Sequence, residues 1–298
     1  MGKTTINQHY VYRDYLRKWS SNEYIYCLLD RKKLLKTNLK NIGLERYFYK
    51  VPAFSQEELR IAKLFTDEYT KNIVEVFEKL NNTIAFSKLT NNLKLTENLT
   101  NFSKDCDEKY FNCNIENNLK NFIDKILTMN LECLNDLEFK MKSCSAIAEQ
   151  YCRTKNIKSK FEKDTKLKSL NINLSNIWFL MRHIIASKIG MAICFDNYKF
   201  CLLENNNNGF ITGDQPVVNT YYNNDTIPLN FELYYPLSPS LALLITKDTN
   251  YENYSIIFIE DEIVDFYNNL IVKSSYNQLY ADKIEKLEKF ISILVKEK

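Results

Sequence analysis

The chain has 298 residues, of which 45% are hydrophobic and 26% charged, with a formal net charge of +3. That length buries a sizeable core, and that balance belongs to a folded globular protein rather than a disordered one. Residues 1–20 hold Lys3, Arg13, Asp14, Arg17 and Lys18 with no apolar secretory segment, and the apolar run 233–246 is short and interrupted by Pro236 and Pro239, so a cytoplasmic protein with no membrane partner is expected.

In chain order, a short helix is predicted over 9–19, with Tyr10, Val11, Tyr15, Leu16 and Trp19 as its apolar positions. The runs YIYCLL and LLKT flank Asp30-Arg31-Lys32-Lys33, a hairpin pattern. Ser55 and Glu58 form a capping-box pair, after which Leu59, Ala62, Phe65, Tyr69, Ile73, Phe77 and Leu80 recur at helical spacing and predict one long helix with a core-facing stripe. Helices are also expected through 106–129 and 131–153, then a helix-poor basic stretch over 154–168, then a helix from about 175 carrying Trp178, Met181, Ile185 and Ile189. After residue 195 the texture turns to short β-rich runs at 198–203, 210–212, 231–235, 241–246 and 255–259. Helices over 261–274 and 283–296 close the chain, the second with Ile284, Leu287, Ile291 and Leu294 on one face. The predicted fold class is α+β: an antiparallel sheet built from the N- and C-terminal segments, packed against a helical middle. One domain over 1–298 is expected, with a helical insert at about 55–195.

Charge is uneven. Residues 1–50 hold eleven Lys/Arg against four Asp/Glu, and residues 153–168 hold seven against two, whereas 248–265 is acidic. Two basic segments can form an electrostatic footprint for phosphates, or simply a solvated surface and a linker. The eight Cys show no C-x-x-C, and only His9 and His183 supply imidazole, so neither a disulfide framework nor a structural zinc site is expected. The P-loop, dinucleotide-binding, nucleophile-elbow and H-E-x-x-H patterns are all absent from the sequence.

Candidate chemistry rests on few residues. Of five Gly and five Pro in the chain, two Gly and four Pro fall between Gly209 and Pro239, around Asp214 in GFITGDQPVV. Gly213 and Pro216 would hold that carboxylate at a rigid corner, where it either presents a ligand or base, or caps its own turn. His9, at the start of a predicted helix, is a natural proton carrier or a half-buried structural residue. His183, on a mostly apolar helix, reads as structural.

NQHYVYRDYLRKWS resembles the opening of a bacterial family of unknown function, DUF4238, which begins with a His-Tyr-Val-Pro-Arg-like string. NIGLERYFY after the hairpin, AEQYCRTKN, GFITGDQPVV and YYPLSPSLALLI are similar to successive elements of the same family, in the same order. Tyr12 stands where the family usually has Pro, Gly213 where it has Ser and Gln215 where it has Asn. The resemblance singles out His9, Tyr10, Arg13, Glu45, Gln150, Arg153 and Asp214. From these positions two functions are drawn. The first is a nuclease-like enzyme acting on phosphodiesters, in phage defence or as a toxin. In it His9, Glu45, Arg153 and Asp214 are catalytic, and Tyr10, Arg13 and Gln150 bind substrate. Glu45 and Asp214 could hold a divalent cation such as Mg2+. The second is a non-catalytic nucleic-acid- or protein-binding module in which the same residues form a structural polar network. A protein partner and homo-oligomerisation are both left open.

Overall fold

A computed structural model of the chain describes residues 6–107, 109, 113–221 and 231–294. The chain enters on β1 (Asn7–His9), turns into the five-residue helix α1 (Arg13–Arg17), and forms a hairpin of β2 (Tyr24–Leu29) and β3 (Lys33–Asn38). Asp30 and Arg31 take positive φ at the hairpin tip, a turn geometry that matches strand twist. β4 (Leu44–Arg46) then pairs back onto β1 with Gln8 opposite Glu45. The helical middle follows as α2 (Gln56–Leu64), α3 (Lys71–Leu89), α4 (Leu93–Cys106), α5 (Cys113–Ile126), α6 (Leu137–Cys152), α7 (Lys155–Lys163), α8 (Thr165–Lys168) and α9 (Leu174–Phe195). The last third adds β5 (Lys199–Glu204), β6 (Thr212–Gly213), β7 (Val218–Asn219), β8 (Leu233–Pro236), β9 (Leu241–Thr246), β10 (Ile256–Phe258), α10 (Asp261–Ser274), β11 (Gln278–Ala281) and α11 (Glu285–Leu294).

The expected α+β class is what forms. A four-stranded sheet runs β3-β2-β11-β6, joining the N-terminal hairpin to the C-terminal strand β11 through antiparallel pairs such as Leu28–Leu279. A five-stranded sheet runs β10-β5-β9-β8-β7, antiparallel except for β10, which lies parallel to β5. The main core packs beneath these sheets, with Tyr15, Trp19, Phe200, Phe210, Tyr234, Tyr235 and Tyr280 all essentially sealed from water. A second apolar cluster, including Leu59, Phe77, Leu180 and Ile184, joins α2, α3 and α9.

Local signals explain several boundaries. The Ser55 side chain accepts from Glu58 N (3.1 Å) and Glu58 Oε2 accepts from Ser55 N (2.8 Å), completing the capping box that opens α2. Asn92, Asp136 and Asn173 cap α4, α6 and α9 through their side-chain oxygens. Three expectations need correction. The predicted helix 9–19 is a strand up to His9 and a helix only over Arg13–Arg17. The long helix after Ser55 breaks at 65–70, where Asp67 Oδ1 accepts from both Thr70 N and Thr70 Oγ1, so Phe65 and Tyr69 are exposed rather than in the core. The basic stretch 154–168 is helical, because Lys is a good helix former and the run holds no Gly or Pro. Among the described helices α9 alone is long and apolar enough to cross a membrane, and 67% of its most apolar window is buried inside the fold.

Candidate functional site

The sequence-predicted residues gather where β1 leaves the two-stranded ladder. Tyr10 N and Val11 N both donate to Gly43 O (2.9 and 3.2 Å), pinning the strand exit. Gly43 has φ +60, and a Cβ there would press on Val11, so only glycine fits this close approach. Beneath it the buried Gln8 donates to Lys104 O (2.9 Å) and accepts from Tyr49 N (2.7 Å), and Tyr49 Oη donates to His9 O (2.9 Å). The backbone of His9 and Tyr10 is therefore fixed from both sides, which aims the His9 ring toward Leu39 O (3.4 Å).

The end of α6 approaches the same point. Gln150 and Arg153 share a helix face, three residues apart. Gln150 Nε2 donates to Tyr10 O (3.3 Å), and Gln150 Oε1 accepts from Arg153 Nη2 (3.0 Å). Arg153 Nη1 donates to Glu116 Oε1 (3.2 Å), from α5. Arg153 exposes none of its side chain, whereas Glu116 exposes 26% of its own. Burial lowers the pKa of the His9 imidazole, and the guanidinium charges of Arg13 and Arg153 push it further down against the pull of the Leu39 carbonyl. Burial also raises the Glu116 carboxyl, with Arg153 and Arg13 opposing. Thus His9, Arg13, Glu116 and Arg153, from three separate stretches of the chain, share one electrostatic environment. The Arg13 residue is half-buried, and its side chain makes no hydrogen bond or ion pair among the described residues.

Glu45 and Asp214 do different work. Glu45 is exposed on β4 and its Oε2 lies 2.6 Å from Lys155 Nζ, which sits 5.0 Å from the Tyr10 ring centroid. Asp214 follows β6 and is 1% exposed. Its Oδ1 accepts from Tyr276 N (2.7 Å), and its Oδ2 from Asn277 N (2.9 Å) and Gln278 N (3.1 Å). This carboxylate is a clamp: it holds the entry of β11 against β6. Burial pushes its pKa up to about 6, against the three backbone amides and Lys155. With one carboxylate committed to backbone and the other to Lys155, the pair does not make a cation site. Among the described residues no group of three or more His, Cys, Asp or Glu could hold a metal ion.

The model of the family described as Protein of unknown function (DUF4238) matches residues 7–284. The chain belongs to the DUF4238 family. No curated protein and no solved structure shows significant similarity to it. In this DUF4238 chain the departures noted beside Asp214 have visible roles. At Gly213 a Cβ would land on Ser275 Oγ, so the glycine leaves room for that serine. Gln215 Nε2 donates to Val217 O (2.6 Å) and Tyr151 O (3.2 Å), and its Oε1 accepts from Thr154 Oγ1, which ties the corner to the end of α6.

Sequence reasoning missed a second polar group deeper in this DUF4238 chain. His183 Nδ1 lies 2.8 Å from Glu149 Oε1 and Nε2 lies 2.9 Å from Asp107 Oδ1, while Arg182 Nη2 pairs with Asp107 Oδ2. All four side chains are at least nine-tenths buried. The Arg182 guanidinium also packs over Tyr49 and Phe179 at about 5 Å. Burial pushes Arg182 down to about 10 and lowers His183, which Glu149 partly offsets. The signal was available: two adjacent basic residues inside an otherwise apolar helix need buried acids to face them. The wider hollows lie elsewhere, one of about 550 Å³ among Tyr198, Tyr221, Phe231 and Lys247, and one of about 450 Å³ among Met129, Leu131, Asn135 and Tyr254.

Proposed function

We propose that this DUF4238 chain is a nucleic-acid-binding module of the cytoplasm. His9 and Arg13 meet phosphate at its surface, and Gln150, Arg153 and Asp214 frame them from within. The observation that carries the reading is the half-buried Arg13 beside His9, whose guanidinium has no ion-pair partner among the described residues, with the buried charge of Arg153 close by. The two basic segments support it, since Lys155 at the head of α7 reaches Glu45 on β4 and so joins both segments at this place. A surface of this kind attracts a polyanion without reading its sequence.

The test is fluorescence anisotropy with single- and double-stranded RNA and DNA over a salt series. The expected result is binding that weakens steeply with salt, a loss of about tenfold on Arg13→Ala, and a salt slope lower by about one contact. Absence of salt-dependent binding to all four probes overturns the reading. Phosphodiester hydrolysis, in defence or as a toxin, is the second reading. One observation favours it: His9 is held toward its neutral form beside two guanidinium groups, the state a general base needs. Cleavage of labelled RNA or DNA by wild type and not by His9→Ala, with equal melting temperatures, would establish it.

A further inference from the structure

Both sheets end in an open edge, and the two edges carry opposite charge. β10 is the outer strand of the five-stranded sheet. Leu202 N donates to Ser255 O and Ile259 N to Glu204 O, both at 2.9 Å, so residues 255, 257 and 259 face β5. The backbone N–H and C=O of Ile256 and Phe258 therefore point outward, and no described residue partners them. The side chains around this edge are apolar and exposed: Ile256 46%, Phe258 55%, Ile263 46% and Phe266 54%. Segment 248–265 contains six acids and no Lys or Arg, and Glu252, Glu260 and Glu262 are exposed without side-chain partners. A bare apolar edge of this kind is one that proteins usually blunt.

β3 is the outer strand of the four-stranded sheet. Leu39 N donates to Glu23 O (2.9 Å), which sets Ile25–Thr37 and Cys27–Leu35 as the hydrogen-bonded pairs and turns the backbone of Leu34, Lys36 and Asn38 outward. Around it stand Arg31, Lys32, Lys33, Lys36 and Lys40, all exposed. Lysines on an edge deter pairing with a like edge. They do not deter pairing with an acidic one.

We propose that the β3 edge of one copy adds to the β10 edge of a second copy, extending the five-stranded sheet by main-chain hydrogen bonds. Charge complementarity selects this arrangement over β10 on β10 or β3 on β3, each of which sets like charges face to face. The contact uses two different surfaces, so every added copy leaves one edge of each kind free. The assembly is head-to-tail and open-ended unless its rotation closes a ring. The edge at β10 spans only three residues, so association is weak and salt-sensitive.

Sedimentation velocity on the full chain from about 1 to 100 µM should show mass rising past the dimer with concentration. Raising salt from about 50 to about 500 mM should weaken the association by about tenfold. Ile256→Pro removes an outward N–H while leaving the ladder to β5 intact, and Leu34→Pro does the same at β3. Each variant alone should stay monomeric, and an equal mixture should form a dimer and stop there, since one copy keeps its β3 edge and the other its β10 edge. The surface reversals Lys33→Glu/Lys36→Glu and Glu260→Lys/Glu262→Lys should each stay monomeric alone, since each then carries like charge on both edges, whereas their equal mixture makes both contacts complementary again and should associate past the dimer; they test the contact if either proline variant melts early. A wild type monomeric across the whole range overturns the proposal. So does self-association of Leu34→Pro alone, which would mean a like-on-like β10 dimer, and so does failure of both mixtures to pair.

Discussion

Arg153→Met separates framework from surface most sharply. The change deletes a guanidinium with no exposed side-chain area and leaves Glu116 Oε1 and Gln150 Oε1 without their donors. A hydrogen bond to a charged group contributes about 1.5–3 kcal/mol, and removing one partner of a buried pair typically costs about 3–5 kcal/mol because the other charge is stranded. Here Glu116 keeps 26% of its side chain in water, which softens the penalty, and the Met stem refills part of the volume. The expected loss is about 3 kcal/mol, read as a shift in the urea midpoint at pH 7.5 with an unchanged slope. Adding Glu116→Gln should return about 1 kcal/mol, since the stranded charge is then gone. Arg13→Ala should cost under about 0.5 kcal/mol in the same assay. A loss below about 1 kcal/mol for Arg153→Met would refute the reasoning, because Arg153 would then be replaceable packing rather than a paired buried charge.

Three other outcomes follow from the geometry. Asp214 has a folded pKa of about 6, raised above its ordinary value by burial. The native state therefore holds the extra proton between about pH 4 and 6, and this contribution is lost as pH rises through that window, by about 3 kcal/mol in all. The stability difference between wild type and Asp214→Asn, from urea melts at pH 4.5 to 7.5, should shift by about 2 kcal/mol in favour of the Asn variant, the part of that total that falls within this range; a flat difference refutes it. Ser55→Ala should destabilise by about 1 kcal/mol through the loss of the α2 cap, again by urea melt. Gly213→Ser should lower the melting temperature, with Ser275→Gly in the same chain recovering at least half of the loss, because the new side chain competes with Ser275 for the same space.

What the sequence made legible was local. The β2–β3 hairpin, the capping box at Ser55 and the helix Asp261–Ser274 stand where composition and spacing put them, because each is set by neighbours a few residues away. The break at 65–70 was missed because Phe65 and Tyr69 continue a helical stripe while a Thr70–Asp67 turn ends the helix between them. β1, β4, β7 and β11 are two to four residues long, too short for alternation to show, and exist only through distant partners. The same limit shaped the site. Resemblance named Asp214, Gln150 and Arg153, but not that the first would be spent on the 276–278 backbone or the last on Glu116. Those pairings join residues dozens of positions apart and leave no trace in local pattern.

The place of β11 between β2 and β6 has a consequence for how the protein is made. The hairpin at residues 24–38 leaves the ribosome well before the strand that covers its inner edge, which follows only after the whole helical middle and the five-stranded sheet. Through that interval of synthesis the edge is open, and any product terminated before Gln278 never closes it. Partial chains should therefore be the species that chaperones hold and proteases clear, and a truncation before Gln278 should be far more damaging than the distance of β11 from His9 suggests.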